Sequence, residues 1–286
     1  MNKIIAIQGA EGSNHHKVAR DFYGESIQLK ECMSFDVLVD SLLDNTSKLG
    51  IMAIENTIAG SIIPNYALID KHNLHIIHEE YLNIHHHLMA LKGQDIKDIK
   101  EVWSHPMALL QCKEFFKKHP HIKLVEDVDT AEVAKRIAKN NLVGIAAIAP
   151  KIAAEIFDLI VIEDEIQTIK DNSTRFVIVQ TTEPNNGINE INKASIKFQL
   201  NHKRGSLAAI LNVLSDCKMN LTKIQSLPVI DTPWKYSFFV DVTFDEYKNY
   251  EKAKAIIEIM AEEFKILGTY KNGRQKPSSE LVSESK

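Results

Sequence analysis

Gly50-Ile51-Met52-Ala53-Ile54 runs without a break into Glu55-Asn56-Thr57-Ile58-Ala59-Gly60-Ser61. The first five residues are continuously apolar, which predicts a strand buried on both faces. The next seven are mostly polar, contain glycine, and precede an apolar segment, Ile62–Ile69, that reads as a helix. Strand, polar loop, helix is the repeating unit of an α/β domain. Ligands of open α/β sheets collect beyond the carboxyl ends of strands, so this polar loop is a candidate wall of a binding cleft.

The same unit recurs on both sides of this stretch. Lys3–Gln8 is an apolar strand that meets Gly9-Ala10-Glu11-Gly12-Ser13, and Val18, Ala19 and Phe22 then share a helical face. Such a loop and the helix after it can offer amides to an anion, although the G-x-G-x-x-G spacing of a dinucleotide site is absent. Residues 26–30 read as a second strand, and Ser34 as the N-cap of a helix carrying Phe35, Leu38, Val39 and Leu42 inward. Glu101–Ser104 is a short strand, with Ser104 placed to cap a helix that starts near Pro106. His105 shares that junction, and both are read as binding residues. Adjacent Ser and His do not bond easily as nucleophile and base, and no G-x-S-x-G elbow is present. Further strands are expected at 122–125, 142–147 and 159–162, with helices opening at Asp129-Thr130 and Ala149. Last comes Lys170-Asp171-Asn172-Ser173-Thr174-Arg175-Phe176, a polar segment entering the apolar run Val177-Ile178-Val179. Here a hydroxyl and a planar guanidinium stand at a strand mouth, groups suited to a hydrogen bond and to a carboxylate respectively.

Alternation of strand and helix through residue 180 predicts an α/β domain with mainly parallel pairing. Extended segments near 75–91 and 160–180 suggest two crossings between two lobes, with the polar junctions facing a cleft. The triplet His85-His86-His87 lies in the first crossing. Neighbouring strand residues face opposite ways, so His85 and His87 share a face, no Cys or Glu stands at ligand spacing, and a metal site is not expected.

Residues 182–193 are a polar linker that includes Glu183-Pro184-Asn185-Asn186-Gly187. Beyond it the rhythm changes. Ala194–Leu200 alternates as a half-buried strand, and Gly205-Ser206 opens a helix with Leu207, Ile210, Leu211 and Leu214 on one face. Residues 221–230 and 234–244 read as strands joined by Asp231-Thr232-Pro233, Ala253, Ile256, Ile257 and Met260 mark a second helix, and Phe264–Tyr270 closes the set. The order βαββαβ is ferredoxin-like, an antiparallel sheet with two helices on one face. Residues 272–286 are polar and expected to be disordered.

The chain has 286 residues, 44% hydrophobic and 25% charged, with a formal net charge of -4. That balance argues against a nucleic-acid or anionic-membrane surface. No stretch approaches a membrane span, and the N-terminus lacks a signal-peptide pattern. Cys32, Cys112 and Cys217 are widely spaced and odd in number. They read as free thiols of a reducing compartment, which points to the cytoplasm.

Five motifs in series resemble the prephenate dehydratase family with a C-terminal ACT regulatory domain. They are Gly9-Ala10-Glu11-Gly12-Ser13, Glu55–Ser61, Ser104-His105-Pro106-Met107-Ala108-Leu109, Ala146-Ala147-Ile148-Ala149 and Asn172-Ser173-Thr174-Arg175-Phe176. The ACT resemblance rests on Gly205-Ser206-Leu207, Asn220–Ile224, Tyr236–Asp241 and Leu267–Tyr270. Departures are Ala10 in place of the family's proline, Asn14-His15 after the first loop, Met107 where glutamine is common, Arg204 in place of proline, and Gln225-Ser226-Leu227-Pro228 in place of Glu-Ser-Arg-Pro.

The resemblance implies a catalytic domain over 1–181, two-lobed and of the periplasmic-binding-protein-like type II, and an ACT domain over 194–271. It implies conversion of prephenate to phenylpyruvate in phenylalanine biosynthesis, with no cofactor or metal. Thr174 is then assigned to the leaving hydroxyl. Arg175 is assigned to a carboxylate, with Asn56, Thr57, Ser104, His105, Gly12, Ser13 and Phe176 as further substrate-binding residues. Phenylalanine is the expected effector, at Gly205, Ser206, Leu207, Gln225, Ser226, Leu227 and Pro228. A homodimer or homotetramer is expected, without a chorismate mutase domain ahead of the first strand. The alternatives are an arogenate dehydratase, and a non-catalytic protein that binds a small dicarboxylate or senses an amino acid.

Overall fold

The computed structural model describes residues 4–184, 191–201, 203–229, 232 and 235–274. Most of the expected tail, the middle of the expected linker, Asp231 and Pro233 of the expected strand connection, and Ile230 and Trp234 at the adjoining ends of the two expected strands lie outside these residues. Contacts gather the chain into two compact units, Met1–Ile62 with Tyr81–Phe176, and Ile63–Glu80 with Val177–Lys286. This division differs from a border near residue 181, because the segment from Ile63 to Glu80 packs with the C-terminal part.

The first unit opens with β1 (Ile4–Gln8), α1 (Asn14–Tyr23), β2 (Gln28–Cys32), α2 (Phe35–Leu43), β3 (Leu49–Asn56) and the short β4 (Gly60–Ser61). β1 pairs in parallel with both β2 and β3, and β4 turns back against β3. Hydrophobic runs in β1 and β3 follow from that central position: Ile5, Ala6, Ile7 and Ile51 to Ile54 are buried. Ser13 and Ser34 cap α1 and α2, their hydroxyls accepting from His16 N and Val37 N at 3.3 Å. β2 lies at Gln28–Cys32, two residues later than the sequence reading, in the register that sets Ile4 beside Gln28 and Gln8 beside Cys32.

The second sheet of this unit contains β6 (His87–Ala90), β7 (Glu101–Ser104), β8 (Lys123–Glu126), β9 (Ile145–Ala149) and β10 (Ile160–Glu163) in the order β10-β6-β9-β7-β8. β7 pairs in parallel with β8 and β9, whereas β6 runs antiparallel to β9 and β10. Both faces are covered. Leu88, Ala90, Val102 and Ile148 pack with α4 (Pro106–Gln111) and α5 (Lys113–Phe116). Met89 and Ala147 pack with α6 (Thr130–Asn140) and α7 (Lys151–Phe157). The extended stretch 75–91 is not one strand: β5 (His75–Asn83) ends before β6 begins. Between them the backbone bonds outside any ladder, Ile84 N to Asn172 O at 2.7 Å and His86 N to Gln167 Oε1 at 2.9 Å. Residues 84–86 and 164–172 are thus the two crossings between the sheets.

In the second unit β12 (Lys193–Gln199), β13 (Asn220–Pro228), β14 (Tyr236–Thr243) and β15 (Glu263–Tyr270) form an antiparallel sheet in the order β13-β14-β12-β15. With α8 (Ser206–Asp216) and α9 (Tyr247–Met260) this is the βαββαβ arrangement. The helices bury Ile210, Leu214, Tyr250, Ala253 and Ile257 against Ala194, Ile196, Phe198 and Val240. β12 was expected to be half-buried, yet every one of its residues is buried. Its second face is covered by α3 (Ile63–Lys71) and the first part of β5. Lys193 Nζ donates to both oxygens of the buried Glu79 at 2.8 and 2.9 Å, Lys197 and Lys265 pair with Asp70, and Tyr66 packs edge-on against Phe239. A Cβ on Gly268 would stand 2.1 Å from Ile76 O, so β15 needs glycine there. The start of the expected tail is tied down, with Gly273 N donating to Glu79 Oε1 at 3.0 Å.

Candidate active site

A cavity of about 460 Å³ opens within the first unit. Its walls come from both sheets. Gln8, Ser13, His15, Phe35, Asn56 and Ile62 line it from the first, and His86, His105, Met107, Gln111 and Asp129 from the second. Asn172, Thr174 and Phe176 add the strand that begins at Ser173, β11 (Ser173–Gln180).

One chain of hydrogen bonds runs along this wall, and its direction is fixed. The amides of Ile58 and Ala59 donate to Asn56 Oδ1 at 2.9 and 2.8 Å. A backbone N–H only donates, so the other end of Asn56 is its NH2. Asn56 Nδ2 donates to Thr174 Oγ1 at 2.9 Å and to Asn172 Oδ1 at 2.7 Å. Asn172 Nδ2 then donates to Gln111 Oε1 at 3.1 Å. Gln111 Oε1 also lies 2.7 Å from His86 Nε2, which must therefore carry a proton. The neutral ring has its lone pair at Nδ1, a buried atom without a partner among the described residues. Burial, the dominant effect, lowers the His86 pKa, so this tautomer holds. Thr174 accepts from Asn56, and among the described residues nothing accepts the hydrogen of its own hydroxyl. That hydrogen is available to the cavity.

The opposite end is built on Asp129, the N-cap of α6. Its Oδ1 accepts from Glu132 N at 2.8 Å. Burial raises its pKa, and the amides of Glu132, Ala131 and Ala10 and the nearby His105 pull it back. The glycine loop was expected to present amides to a bound anion. Instead, its Ala10 amide serves the protein's own carboxylate. Gly12 N donates to His16 Nδ1 at 3.0 Å and Ser13 N to Ala10 O at 3.1 Å, so neither amide is open to a ligand. Gly9, at φ +88, is required beside Asp129: a Cβ there would be 2.6 Å from Oδ2. His15 packs edge-on against Phe176 and Phe35, and burial lowers its pKa to about 3, so it is a neutral wall.

A family model described as prephenate dehydratase matches residues 5–184. A bifunctional chorismate mutase/prephenate dehydratase of Buchnera aphidicola is 30% identical over 96% of this chain and 74% of its own length. The chain belongs to the prephenate dehydratase family. An Arabidopsis thaliana protein named arogenate dehydratase/prephenate dehydratase 2 is 34% identical, over 93% of this chain and 72% of its own length. A solved prephenate dehydratase of Arthrobacter aurescens, in complex with L-Phe, superposes with a TM-score of 0.84 at 22% identity, covering 98% of this chain and 96% of that one. The shared fold is the mixed α/β, periplasmic-binding-protein-like type II fold. The chain is a lyase, a prephenate dehydratase, which takes prephenate to phenylpyruvate with loss of carbon dioxide and water.

The cavity includes some of the expected residues and leaves out others. Asn56, Thr174, His105, Ser13 and Phe176 line it. His105, and not Ser104, caps α4, its Nδ1 accepting from Met107 N at 3.2 Å. Ser104 is fully buried and donates to Ile148 O at 2.7 Å, tying β7 to β9 away from the cavity. Thr57 is exposed, and its Oγ1 accepts from Ser173 N at 2.9 Å, which joins the β3 loop to β11. Arg175 is buried and is not part of the lining. Strand alternation explains this: Thr174 and Phe176 face the cavity, and the residue between them faces away.

Sequence reading missed His86, Gln111, Asn172 and Asp129. The alternation argument that put His85 and His87 on one face already placed His86 on the other. Gln111, the last residue of α4, is polar among apolar neighbours. In the second unit Gly205 has φ +81 at the N-cap of α8. Ser206 and Leu207 line a shallow pocket with Leu200, Asn201, Lys203, Tyr236 and Phe238. Gln225, Ser226, Leu227 and Pro228 end β13 and do not line it.

Proposed function

We propose that the cavity of the first unit is where the dehydratase reaction takes place and that Thr174 donates to the leaving hydroxyl. The observation that carries this is the directed chain from the Ile58 and Ala59 amides through Asn56, which leaves the Thr174 hydrogen unclaimed. In the reaction the bond from the ring to the carboxylate breaks and carbon dioxide leaves. The electron pair moves into the ring and expels hydroxide from the opposite carbon. One proton, taken ultimately from solvent, converts that hydroxide to water. A threonine hydroxyl is a weak acid, so Thr174 acts by a positioned hydrogen bond that tightens as charge develops on the departing oxygen. Asn56 orients Thr174, and Asn172 and Gln111 hold Asn56. His105 offers Nε2–H to the substrate, since its Nδ1 already accepts. His15, Phe35 and Phe176 give the ring an apolar seat.

The cavity lining carries no arginine or lysine among the described residues. A cation clamped on the departing carboxylate would stabilise the ground state more than a transition state in which that charge disperses. A lining without such cations fits decarboxylation. This replaces the assignment of Arg175 to a carboxylate.

Domains follow the family pattern in this reading: a catalytic domain over 1–181, a linker over 182–193 and an ACT domain over 194–271. The βαββαβ topology and the pocket at Ser206 and Leu207 support phenylalanine as an effector. A homodimer or homotetramer and a cytoplasmic location complete the proposal, the latter in keeping with the free thiols of Cys32, Cys112 and Cys217.

The purified protein mixed with prephenate should yield phenylpyruvate, read by its absorbance in base. No turnover above the spontaneous rate would refute the reading. Thr174→Ala should lower kcat more than it raises KM. Added phenylalanine should lower the rate, and an unchanged rate would remove the regulatory proposal alone.

A further inference from the structure

The cavity holds one formally charged side chain among the described residues, Asp129. Prephenate brings two carboxylates to it. Arogenate, its 2-amino counterpart, brings the same two and an ammonium group on the side chain. A fixed carboxylate in the same space repels the two carboxylates that both substrates carry and attracts the ammonium that only the second one has, so the two substrates differ by that attraction.

Asp129 is held for such a contact. It is 9% exposed. Burial raises its pKa, and its backbone partners, the amides of Glu132, Ala131 and Ala10, favour the charged form against that effect. A carboxylate has about four acceptor positions, so three amides leave roughly one open. Gly9 makes the room in which Oδ2 sits. The capping role alone does not call for a charge, because Asn, Ser or Thr cap a helix comparably. Burying a carboxylate is costly, and a substrate ammonium offsets that cost. Asp129 also stands apart from the Asn56–Asn172–Gln111 chain that holds Thr174, so one element addresses the ring hydroxyl and another the side chain.

We infer that Asp129 is the specificity-determining residue of this cavity, receiving the ammonium group of an α-amino acid substrate, so that the enzyme takes arogenate as well as prephenate and prefers arogenate. The inference rests on the reading of the cavity as the dehydratase site.

The test offers the full-length protein an equimolar mixture of the two substrates and follows initial rates of the two products, phenylalanine and phenylpyruvate. The ratio of kcat/KM values should favour arogenate by about tenfold or more, the range of a hydrogen bond to a charged group. Asp129→Asn and Asp129→Ser keep a capping oxygen and remove the charge. Each should reduce that ratio by about tenfold or more, whatever it does to the absolute rates. A wild-type ratio at or below one, or a ratio unchanged in folded variants, overturns the inference. If neither variant folds by thermal melting, the wild-type ratio decides. Turnover of prephenate without preference for arogenate sinks this inference and leaves the dehydratase reading standing. Turnover of neither substrate sinks both.

Discussion

Asn56→Asp reverses one hydrogen bond while changing almost no volume. Its first oxygen still accepts from the Ile58 and Ala59 amides, so the β3 loop keeps its shape. The second oxygen replaces Nδ2, 2.9 Å from Thr174 Oγ1 and 2.7 Å from Asn172 Oδ1. Asn172 can turn its amide over to donate if Gln111 turns with it and His86 moves its proton to Nδ1. Thr174 can respond only by giving its single hydrogen to the new carboxylate, in a charge-assisted bond about twice as strong as a neutral one. That hydrogen is then lost to the leaving hydroxyl. Recovering it means breaking a bond of about 1.5–3 kcal/mol, and the added negative charge also opposes a developing hydroxide. Removal of one preorganised donor typically costs about 2.7–4 kcal/mol, or about 10²–10³ in kcat. The expected result is therefore a fall of about 10²–10³ in kcat with a smaller rise in KM, measured by phenylpyruvate formation. Thermal melting should show a folded protein. A folded variant with kcat within threefold of the wild type would refute the orientation argument, because Thr174 would then not depend on Asn56 to keep its hydrogen.

Other consequences follow from buried charge and from glycine geometry. His15 binds a proton near pH 6.5 when unfolded and near about 3 when folded, so between these values the unfolded state holds more protons. Stability should fall by about 1.4 kcal/mol per pH unit on going down through this window from His15 alone, and His15→Leu should flatten a plot of unfolding free energy against pH by that slope. Lys193→Met removes the cation paired with the buried Glu79 in the second unit and should cost about 3–5 kcal/mol in urea melts, and Glu79→Leu in the same chain should restore part of it. Gly9→Ala forces a φ of +88 on a residue with a Cβ 2.6 Å from Asp129 Oδ2, and should lower both the melting temperature and kcat/KM.

The layers of the first unit could be read from its sequence because each strand ends where a polar, glycine-bearing loop begins, and Asn56 and Thr174 stand at two of those ends. Arg175 misled because a guanidinium beside a reactive-looking hydroxyl suggests a joint task, while the pleat sends neighbours to opposite sides. Asp129 was hidden for the reverse reason. Its pattern, Asp before an apolar helical run, has a sufficient structural explanation in capping, and its place in the cavity depends on the Gly9–Ala10 loop meeting it from the other sheet. The grouping of Ile63–Glu80 with the C-terminal sheet was not legible either. Lys193, Ser195, Lys197 and Gln199 alternate in β12 as a solvent face would. Only the structure pairs Lys193 with Glu79 and Lys197 with Asp70.

The cavity differs from a simple anion trap in a way that bears on catalysis. A binding protein for a dicarboxylate gains from permanent cations aimed at both carboxylates, since it has only a ground state to stabilise. Here the described lining has none, and its single charge is negative. What it has is a series of neutral amides whose order is imposed from one end by two backbone N–H groups. Each amide can be satisfied in only one orientation, and at the far end even the histidine tautomer is set. Such a chain contributes little net charge to a bound substrate. It does hold one hydroxyl so that its oxygen is occupied and its hydrogen is free, which is of use to a departing oxygen and of little use to a carboxylate that is about to leave as neutral carbon dioxide. The arrangement favours the step over the bound state, and the loss expected for Asn56→Asp should therefore appear in kcat more than in KM.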